Sequence, residues 1–437
     1  MKQKKLTVLG AGESGVGAAL LARAKGWEVW VSDKGTIADQ HKKTLMANDI
    51  PYEEGRHEWA TILDSTEVVK SPGIPETTDL VVALREKGIP VISEIEWAAR
   101  FTEARLIGIT GTNGKTTTTR LTYHLLKEGG LKVAMAGNVG VSFARLVCEA
   151  DPPDWYVLEL SSFQLDGIQD FRADISVLLN ITPDHLDRYD YQMDNYIDSK
   201  FRITRNQGKQ DWFLYNGEDA NVAKGFARHR IEAKASPISY PPQAGILVVD
   251  DWQYDLESTQ LKGPHNAFNA NCAVRIARKL GVSPDRIQEG LDSFQNAPHR
   301  MELVGTHEEV DYINDSKATN VEAALFALQA MQKPVIWIAG GTDKGNDYGP
   351  LQDLVNDKVR ALICMGLDNE KLKKAFRGKV EQMVEVASAS EAVEQARKWA
   401  KPGEVVLLSP ACASFDLFNN YEDRGDQFRK AVQRLKN

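Results

Sequence analysis

The sequence predicts an α/β protein of three domains, each built on a mostly parallel sheet. Two glycine-rich turns, at residues 10–15 and 111–116, each end an apolar strand and open a helix. Strand and helix patterns then alternate to the C-terminus, which is how parallel, doubly wound sheets read. The 437 residues exceed what one core organises, so several domains are expected.

The first domain is expected over 1–99, with a Rossmann-like sheet. Residues 6–10 form an apolar strand that runs into Gly10-Ala11-Gly12-Glu13-Ser14-Gly15. Val16, Ala19, Leu20 and Arg23 keep helical spacing, and a second strand at 28–32 ends at Asp33. This βαβ unit carries a dinucleotide-type glycine pattern followed by an acidic residue. A nicotinamide cofactor and a UDP-sugar fit it equally well. The basic start, Met1-Lys2-Gln3-Lys4-Lys5, precedes too brief an apolar stretch for a signal peptide and reads as the lead into the first strand. Ser71-Pro72-Gly73-Ile74-Pro75 and Ile92-Ser93-Glu94 close the segment.

The second domain is expected over 100–297. A strand at 105–110 runs into Gly111-Thr112-Asn113-Gly114-Lys115-Thr116, and a helix over 117–127 follows, closed by Gly129-Gly130. Such a turn aims backbone N–H groups at phosphate, and the helix N-terminus adds partial positive charge. Lys115 then reaches outer phosphates and the Thr116 hydroxyl ligates Mg²⁺, so ATP or a close relative is the expected ligand. Ile109 stands where the general P-loop has its first glycine, so this is a variant loop.

Further buried strands are expected at 155–160 and 175–181. Glu159, on the strand beside the loop, is a candidate Mg²⁺ ligand, because a buried carboxylate with no cation is costly. Ser161, Ser162 and Gln164 follow it and are candidates for substrate or outer metal contacts. In Asn180-Ile181-Thr182-Pro183-Asp184-His185-Leu186-Asp187-Arg188, His185 is a candidate ligand for a second Mg²⁺ or Mn²⁺. Lys200 reads on composition as a solvated helix lysine. Residues 211–259 are irregular and suggest a small β addition. A helix over 266–280 carries Asn266 and Asn269, spaced to bracket adenine or phosphate, with helix capping by Asn266 as the competing reading.

The third domain is expected over 298–437, Rossmann-like again. Strands at 312–313, 334–339, 359–365 and 404–408 alternate with helices at 321–331, 390–400 and 427–435. Polar clusters fall after the strands, where ligands of such sheets bind: Asn314-Asp315-Ser316-Lys317, Gly340-Gly341-Thr342-Asp343-Lys344 and Ser409-Pro410-Ala411. Arg300, in His299-Arg300-Met301-Glu302, is a candidate cation for the γ-phosphate.

Composition excludes several classes. A net charge of −8 argues against a general nucleic-acid binder. No apolar run approaches a membrane span. Cys148, Cys272, Cys364 and Cys412 show no metal spacing and read as reduced thiols of a cytoplasmic protein.

Together the runs at 111–116, 180–188, His265-Asn266 with Asn269, 299–302 and 315–320 resemble the Mur ligases, the ATP-dependent amino-acid-adding enzymes of peptidoglycan synthesis. Ser71-Pro72-Gly73-Ile74, the run from Leu158 to Leu165 and the run from Ser409 to Asp416 look most like the members that add D-glutamate. The resemblance implies UDP-N-acetylmuramoyl-L-alanine and D-glutamate as substrates of a monomeric cytoplasmic enzyme with ATP and two Mg²⁺ sites. Gly12, Glu13, Ser14 and Ser71 would hold the UDP part, and Asp33 would face the uracil. Gly111, Thr112, Asn113, Gly114, Lys115, Thr116, Thr117, Asn269, Arg300 and Asp315 would contact ATP. Thr116, Glu159, His185 and a Lys200 carbamylated by CO₂ would complete the metal sites, and carbamylation needs a lowered amine pKa. Asn138, Ser161 and Gln164 would meet the muramoyl substrate. Lys317, Thr319, Lys344, Ser414 and Phe415 would receive D-glutamate.

Two positions depart from the family pattern. Ser32-Asp33-Lys34-Gly35 lacks the arginine some relatives carry after the acidic residue, and Leu417 stands where glutamine is common. Rival readings are a sister ligase for lysine or diaminopimelate, folylpolyglutamate synthase, a dehydrogenase, and a non-catalytic nucleotide-binding regulator. The dehydrogenase reading leaves Lys115, Glu159 and His185 idle.

Overall fold

The computed structural model describes residues 4–241, 243 and 245–435; of the basic start, residues 1–3 lie outside the described residues. The chain divides into two compact units. One is Met1–Pro241 with Leu247–Tyr254 and Phe268–Leu291; the other is Pro242–Ile246 with Asp255–Ala267 and Asp292–Asn437.

The first unit carries two sheets. Strands β1 (Lys5–Leu9), β2 (Glu28–Asp33), β3 (Tyr52–Glu54), β4 (Glu67–Lys70) and β5 (Val91–Ile92) lie in the order β3-β2-β1-β4-β5. Every pairing is parallel. Parallel strands are covered on both faces, and Leu6, Val8, Val31 and Val69 are buried accordingly. Gly15 lies where the helix Glu13–Ala24 crosses the end of β1, and a Cβ there would strike the Gly10 carbonyl. That close approach explains the last glycine of the first turn.

Strands β6 (Arg105–Thr110), β7 (Val133–Gly137), β8 (Trp155–Glu159), β9 (Ile175–Leu178), β10 (Trp212–Asn216) and β11 (Lys234–Ile238) form a second parallel sheet, ordered β11-β10-β9-β6-β8-β7. The β addition expected over 211–259 is therefore narrower than the sequence suggests. β10 and β11 extend the main sheet, and only β12 (Ile246–Val249) and β13 (Trp252–Asp255) make a separate two-stranded ribbon. The edge strand β11 reads Lys-Ala-Ser-Pro-Ile, and proline with few apolar residues hides such a strand. Chain connections diverge on either side of β6, so its carboxyl end is the switch point where ligands of such sheets bind.

These two sheets share one hydrophobic cluster that includes Leu21, Trp97, Phe143 and Tyr156. Two buried glutamates of the helix Glu94–Ala99 fasten the N-terminal segment to the central one. Glu96 Oε2 accepts the backbone N–H groups of Gln169 (2.9 Å), Asp170 (3.0 Å) and Phe171 (2.8 Å). Glu94 Oε1 accepts the N–H of Ala144 at 2.5 Å, and burial pushes its carboxyl up to about 7.

The second unit carries β14 (Glu302–His307), β15 (Val310–Asn314), β16 (Val335–Ala339), β17 (Val359–Met365), β18 (Gln382–Val386) and β19 (Val405–Leu408), ordered β14-β15-β19-β16-β17-β18. Only the β14–β15 hairpin is antiparallel. Buried Trp337 donates its indole N–H to Ser409 O at 2.7 Å, fixing the start of a polar loop after β19. The last helix begins at Tyr421, capped by Asn420, well before the expected 427; its charged first turn obscured it. Among the described residues no helix is long and apolar enough to cross a membrane.

Glu96→Ala removes the acceptor for three backbone N–H groups. It is expected to lower the unfolding free energy by about 3 kcal/mol, read from urea denaturation.

Candidate active site

The loop after β6 is built by two glycines in the positive-φ region, Gly111 (φ 155°) and Gly114 (φ 82°). A Cβ on Gly114 would lie 2.5 Å from Asn269 Oδ1, so the buried Asn269 fits against the loop only because Gly114 lacks one. Asn180 clamps the loop both ways: its Oδ1 accepts the Asn113 N–H at 2.8 Å and its Nδ2 donates to Asn113 O at 3.1 Å. The helix Lys115–Glu128 follows at once, with Thr116 and Thr117 buried in its first turn. Lys115 folds back over the loop, donating to Gly111 O at 2.9 Å and Thr112 O at 2.7 Å.

Lys200 reaches the same atom. Its Nζ donates to Gly111 O at 2.8 Å and to Thr110 Oγ1 at 3.4 Å. The solvated lysine that composition suggests is in fact 1% exposed. Burial first, and then the neighbouring Lys115 charge, hold its pKa well below the usual lysine range. The amine therefore gives up its proton more readily than an ordinary lysine.

Glu159, at the end of β8, is equally buried. Its Oε1 accepts Asn138 Nδ2 at 2.8 Å, while Oε2 is buried with no partner among the described residues. An orphaned buried carboxylate oxygen fits a divalent cation. His185 adopts φ 52°, its N–H held by Asp184 Oδ1 at 2.9 Å and its ring edge-on to Phe163 at 5.1 Å. Among the described residues no group of three His, Cys, Asp or Glu side chains stands assembled for a metal.

Ser161 and Gln164 form a capping box at the helix Ser162–Asp166. Helix capping alone explains these residue types. Asn266 lies inside the helix Pro264–Lys279 and donates to Lys262 O at 3.0 Å, so it is not that helix's cap.

A cavity of about 860 Å³ opens beyond the carboxyl ends of the N-terminal strands, lined by Gly10, Gly12, Ser14, Asp33 and Ser71 among others. Asp33 organises its floor: Oδ2 accepts the Ala11 N–H at 2.7 Å and Oδ1 the Gly35 N–H at 2.8 Å. Glu13 is turned away, its carboxylate paired with Arg145 at 3.1 Å. Arg188, three residues after His185, donates to the carbonyls of Pro72, Gly73 and Ile74. This ties the rim of the cavity to the loop that carries His185.

In the second unit Asp315 is buried, accepting the Met301 N–H at 3.2 Å and Ser409 Oγ at 3.0 Å. Burial pushes its carboxyl up to about 7, against the pull of Arg300. Lys317 Nζ lies 5.0 Å over the Tyr421 ring, Ser414 is buried and Lys344 is exposed. Thr319 follows in the same loop, its N–H on Lys317 O. Phe415 is not brought to this group; it is 71% exposed.

Sequence reasoning missed Tyr421 and Arg424. Arg424 is 1% exposed and bonds Ser316 Oγ (3.0 Å), Ser316 O (2.8 Å) and Cys412 O (3.2 Å), joining two polar loops. Burial lowers it to about 10. The available signal was Gly425: a helical glycine marks close packing, and a Cβ there would strike the His299 ring.

Comparisons with known proteins agree with one another. Family models described as "Mur ligase MurD-like, N-terminal domain", "Mur ligase middle domain" and "Mur ligase, glutamate ligase domain" match residues 4–93, 109–277 and 299–412. The chain is 49% identical to the UDP-N-acetylmuramoylalanine--D-glutamate ligase of Christiangramia forsetii, over 99% of this chain and 100% of that one. It is 50% identical to the protein of the same name from Porphyromonas gingivalis, covering 98% of each. Its fold is similar to that of the UDP-N-acetylmuramate-alanine ligase MurC of Thermotoga maritima (TM-score 0.63, 16% identity, 99% of each chain). It is also similar to the MurF ligase of the same organism in complex with ADP (TM-score 0.61, 15% identity, 93% of this chain and 95% of that one).

Gly114→Ala places a Cβ against Asn269 at a left-handed backbone position. It is expected to weaken ADP binding at least about tenfold by calorimetry, a loss of about 1.4 kcal/mol, with an unchanged circular dichroism spectrum. A second outcome concerns pH. The folded-state pKa of Asp315 lies above its unfolded value, so the folded form keeps the proton longer and this group destabilises the free protein as pH rises from the unfolded pKa toward 7. Asp315→Asn removes that titration and is expected to raise the Tm more at pH 8 than at pH 5.

Proposed function

The chain belongs to the Mur ligase family, and on that premise we propose that it joins D-glutamate to UDP-N-acetylmuramoyl-L-alanine, with cleavage of ATP to ADP and phosphate. It is an ATP-dependent ligase of peptidoglycan precursor synthesis. The observation in the fold that carries the reading is the meeting of Lys115 and buried Lys200 on the Gly111 carbonyl.

A carboxylate resists attack by an amine because oxide would have to leave. Transfer of the ATP γ-phosphoryl to the substrate's terminal carboxylate makes an acyl phosphate. The D-glutamate amine attacks its carbonyl carbon, and the tetrahedral intermediate collapses to amide and phosphate. Positioning and charge neutralisation supply most of the acceleration in such transfers.

The loop N–H groups from Gly111 to Thr117 and the Lys115 ammonium hold the ATP phosphates, with contacts to ATP also from Asn269, Arg300 and Asp315. Thr116, Glu159, His185 and a carbamylated Lys200 would hold two Mg²⁺ ions, which Mn²⁺ could replace. When bound, these cations neutralise phosphate charge. For the carbamate, the neutral Lys200 amine attacks CO₂: an N–C bond forms as one C=O π bond gives its electrons to oxygen, and an amine proton passes to solvent, so a neutral amine becomes an anion. The support is its burial and depressed pKa.

Gly12, Ser14, Asp33 and Ser71 hold the UDP moiety, with Glu13 contributing through its backbone. Asn138, Ser161 and Gln164 meet the muramoyl part, and Lys317, Thr319, Lys344, Ser414 and Phe415 receive D-glutamate. We assign these roles to domains spanning 1–99, 100–297 and 298–437 of a cytoplasmic monomer.

The test is phosphate release with UDP-N-acetylmuramoyl-L-alanine, ATP and a panel of amino acids. Turnover is expected with D-glutamate alone; release with L-lysine or diaminopimelate instead reassigns the enzyme. Lys200→Ala is expected to nearly abolish turnover with the fold intact, and an unimpaired variant removes the carbamate.

A further inference from the structure

The N-terminal cavity holds a polar chain that the reaction does not use. Ser32 is fully buried at the end of β2, and its Oγ meets Glu53 Oε1 at 2.8 Å and His57 Nδ1 at 2.6 Å. Glu53 Oε1 also accepts the Glu58 N–H at 2.8 Å and the Trp30 indole N–H at 3.4 Å. Hydrogen bonds from its neighbours hold the Glu53 carboxyl below its usual range against the opposing effect of burial, so it is ionised and only accepts. The single Ser32 proton therefore goes to Glu53, and Ser32 Oγ must receive a proton from His57. This fixes the His57 tautomer: Nδ1 carries the hydrogen, and Nε2 is a bare acceptor. Burial lowers the pKa of the imidazole, which keeps it neutral at neutral pH.

His57 lines the cavity, and among the described residues no protein group bonds Nε2. Beside it Trp59, 42% exposed, also lines the cavity, a flat apolar face left open in a soluble protein. Such a ring is a stacking platform for a base.

The direction in which a nucleotide lies follows from the sheet. Phosphates belong at the glycine turn and the helix N-terminus after β1, the centre of the order β3-β2-β1-β4-β5. On the β4 side the Ser71-to-Ile74 turn is bound by Arg188, next to the loop of His185. The reacting end of the substrate must leave on that side. The base is left with the β3 side, where His57 and Trp59 stand.

We propose that His57 reads the nucleobase: its bare Nε2 accepts the imide N3–H of uracil, while Trp59 covers the ring face. This rests on the cavity being the UDP site. Cytosine presents an acceptor at N3, so the fixed tautomer sets two lone pairs against each other and rejects it. A site built to hydrogen-bond a donor discriminates strongly against an analogue that lacks it. The arginine missing after Asp33 is thus answered by a residue just after β3.

The test is calorimetric binding of UDP and CDP to the full-length protein at neutral pH. Wild type is expected to bind UDP at least tenfold more tightly than CDP. His57→Leu is expected to bring the two within threefold of each other, and Ser32→Ala, which frees the tautomer, to narrow the gap. His57→Gln, whose amide can turn to either base, retains UDP binding and gains CDP binding, and it covers a folding failure of the leucine variant. A preference for UDP that persists in the His57 variants overturns the proposal and leaves the cavity assignment standing. Equal binding of both nucleotides by wild type also overturns it. Binding of neither nucleotide overturns the cavity assignment and the proposal with it.

Discussion

One carbonyl oxygen organises the chemistry of this protein. Gly111 O receives both Lys115 and Lys200, at 2.9 and 2.8 Å. Two ammonium groups cannot share one acceptor in a buried place without a cost, since like charges and desolvation both disfavour the second cation. The structure resolves this on Lys200, the more deeply enclosed of the two, whose pKa falls. Gly111 can present its carbonyl this way because it holds φ 155° against Leu179 and Asn180, where a Cβ would lie 2.9 Å from Leu179 Cβ. The loop conformation, the clamp by Asn180 and the lowered pKa of Lys200 are one constraint seen from three residues.

The same unit shows why the N-terminal cavity and the glycine loop after β6 stay in register. Glu96 gathers three backbone N–H groups of the segment after the helix Ser162–Asp166, and Arg188 caps three carbonyls of the Ser71 turn. Both fastenings use a charged side chain against main-chain dipoles, which makes each bond stronger than a neutral one. Phe163 links Arg188 to His185, with the guanidinium 4.5 Å over its ring and the imidazole edge-on to it. A shift of the cavity rim is therefore felt at His185.

Much of the scaffold was legible in the sequence because glycine and buried strands leave unambiguous marks. The turns at Gly10 and Gly111, the strand pattern and the placement of Glu159 at a strand end all read directly. What could not be read was burial of charge. Glu94, Glu96, Lys200 and Arg424 all sit on helices, and a charged residue on a helix looks solvated until its tertiary partners are known. Lys200 is the sharpest case, since only resemblance marked it as functional. Tyr421 was missed because the run after Ser409 looked complete in itself, whereas a helix cap at Asn420 brings a later residue to Lys317.

The free protein holds several ionisable groups in places that do not suit their charge. Lys200 is buried beside another cation, Glu159 has an unpartnered buried oxygen, and Asp315 is raised to about 7. A core selected for stability alone would not retain them, because each costs desolvation that its protein partners only partly offset. Two of the three would become favourable with the ligand chemistry proposed for them: a carbamate on Lys200 would face the Lys115 cation as an anion, and a divalent ion would satisfy the Glu159 oxygen. Ligands should then stabilise the fold by more than the contacts they add, since they also relieve strain already present. The departures from good packing electrostatics thus mark the working residues, as they do when function and folding make opposite demands on the same atoms.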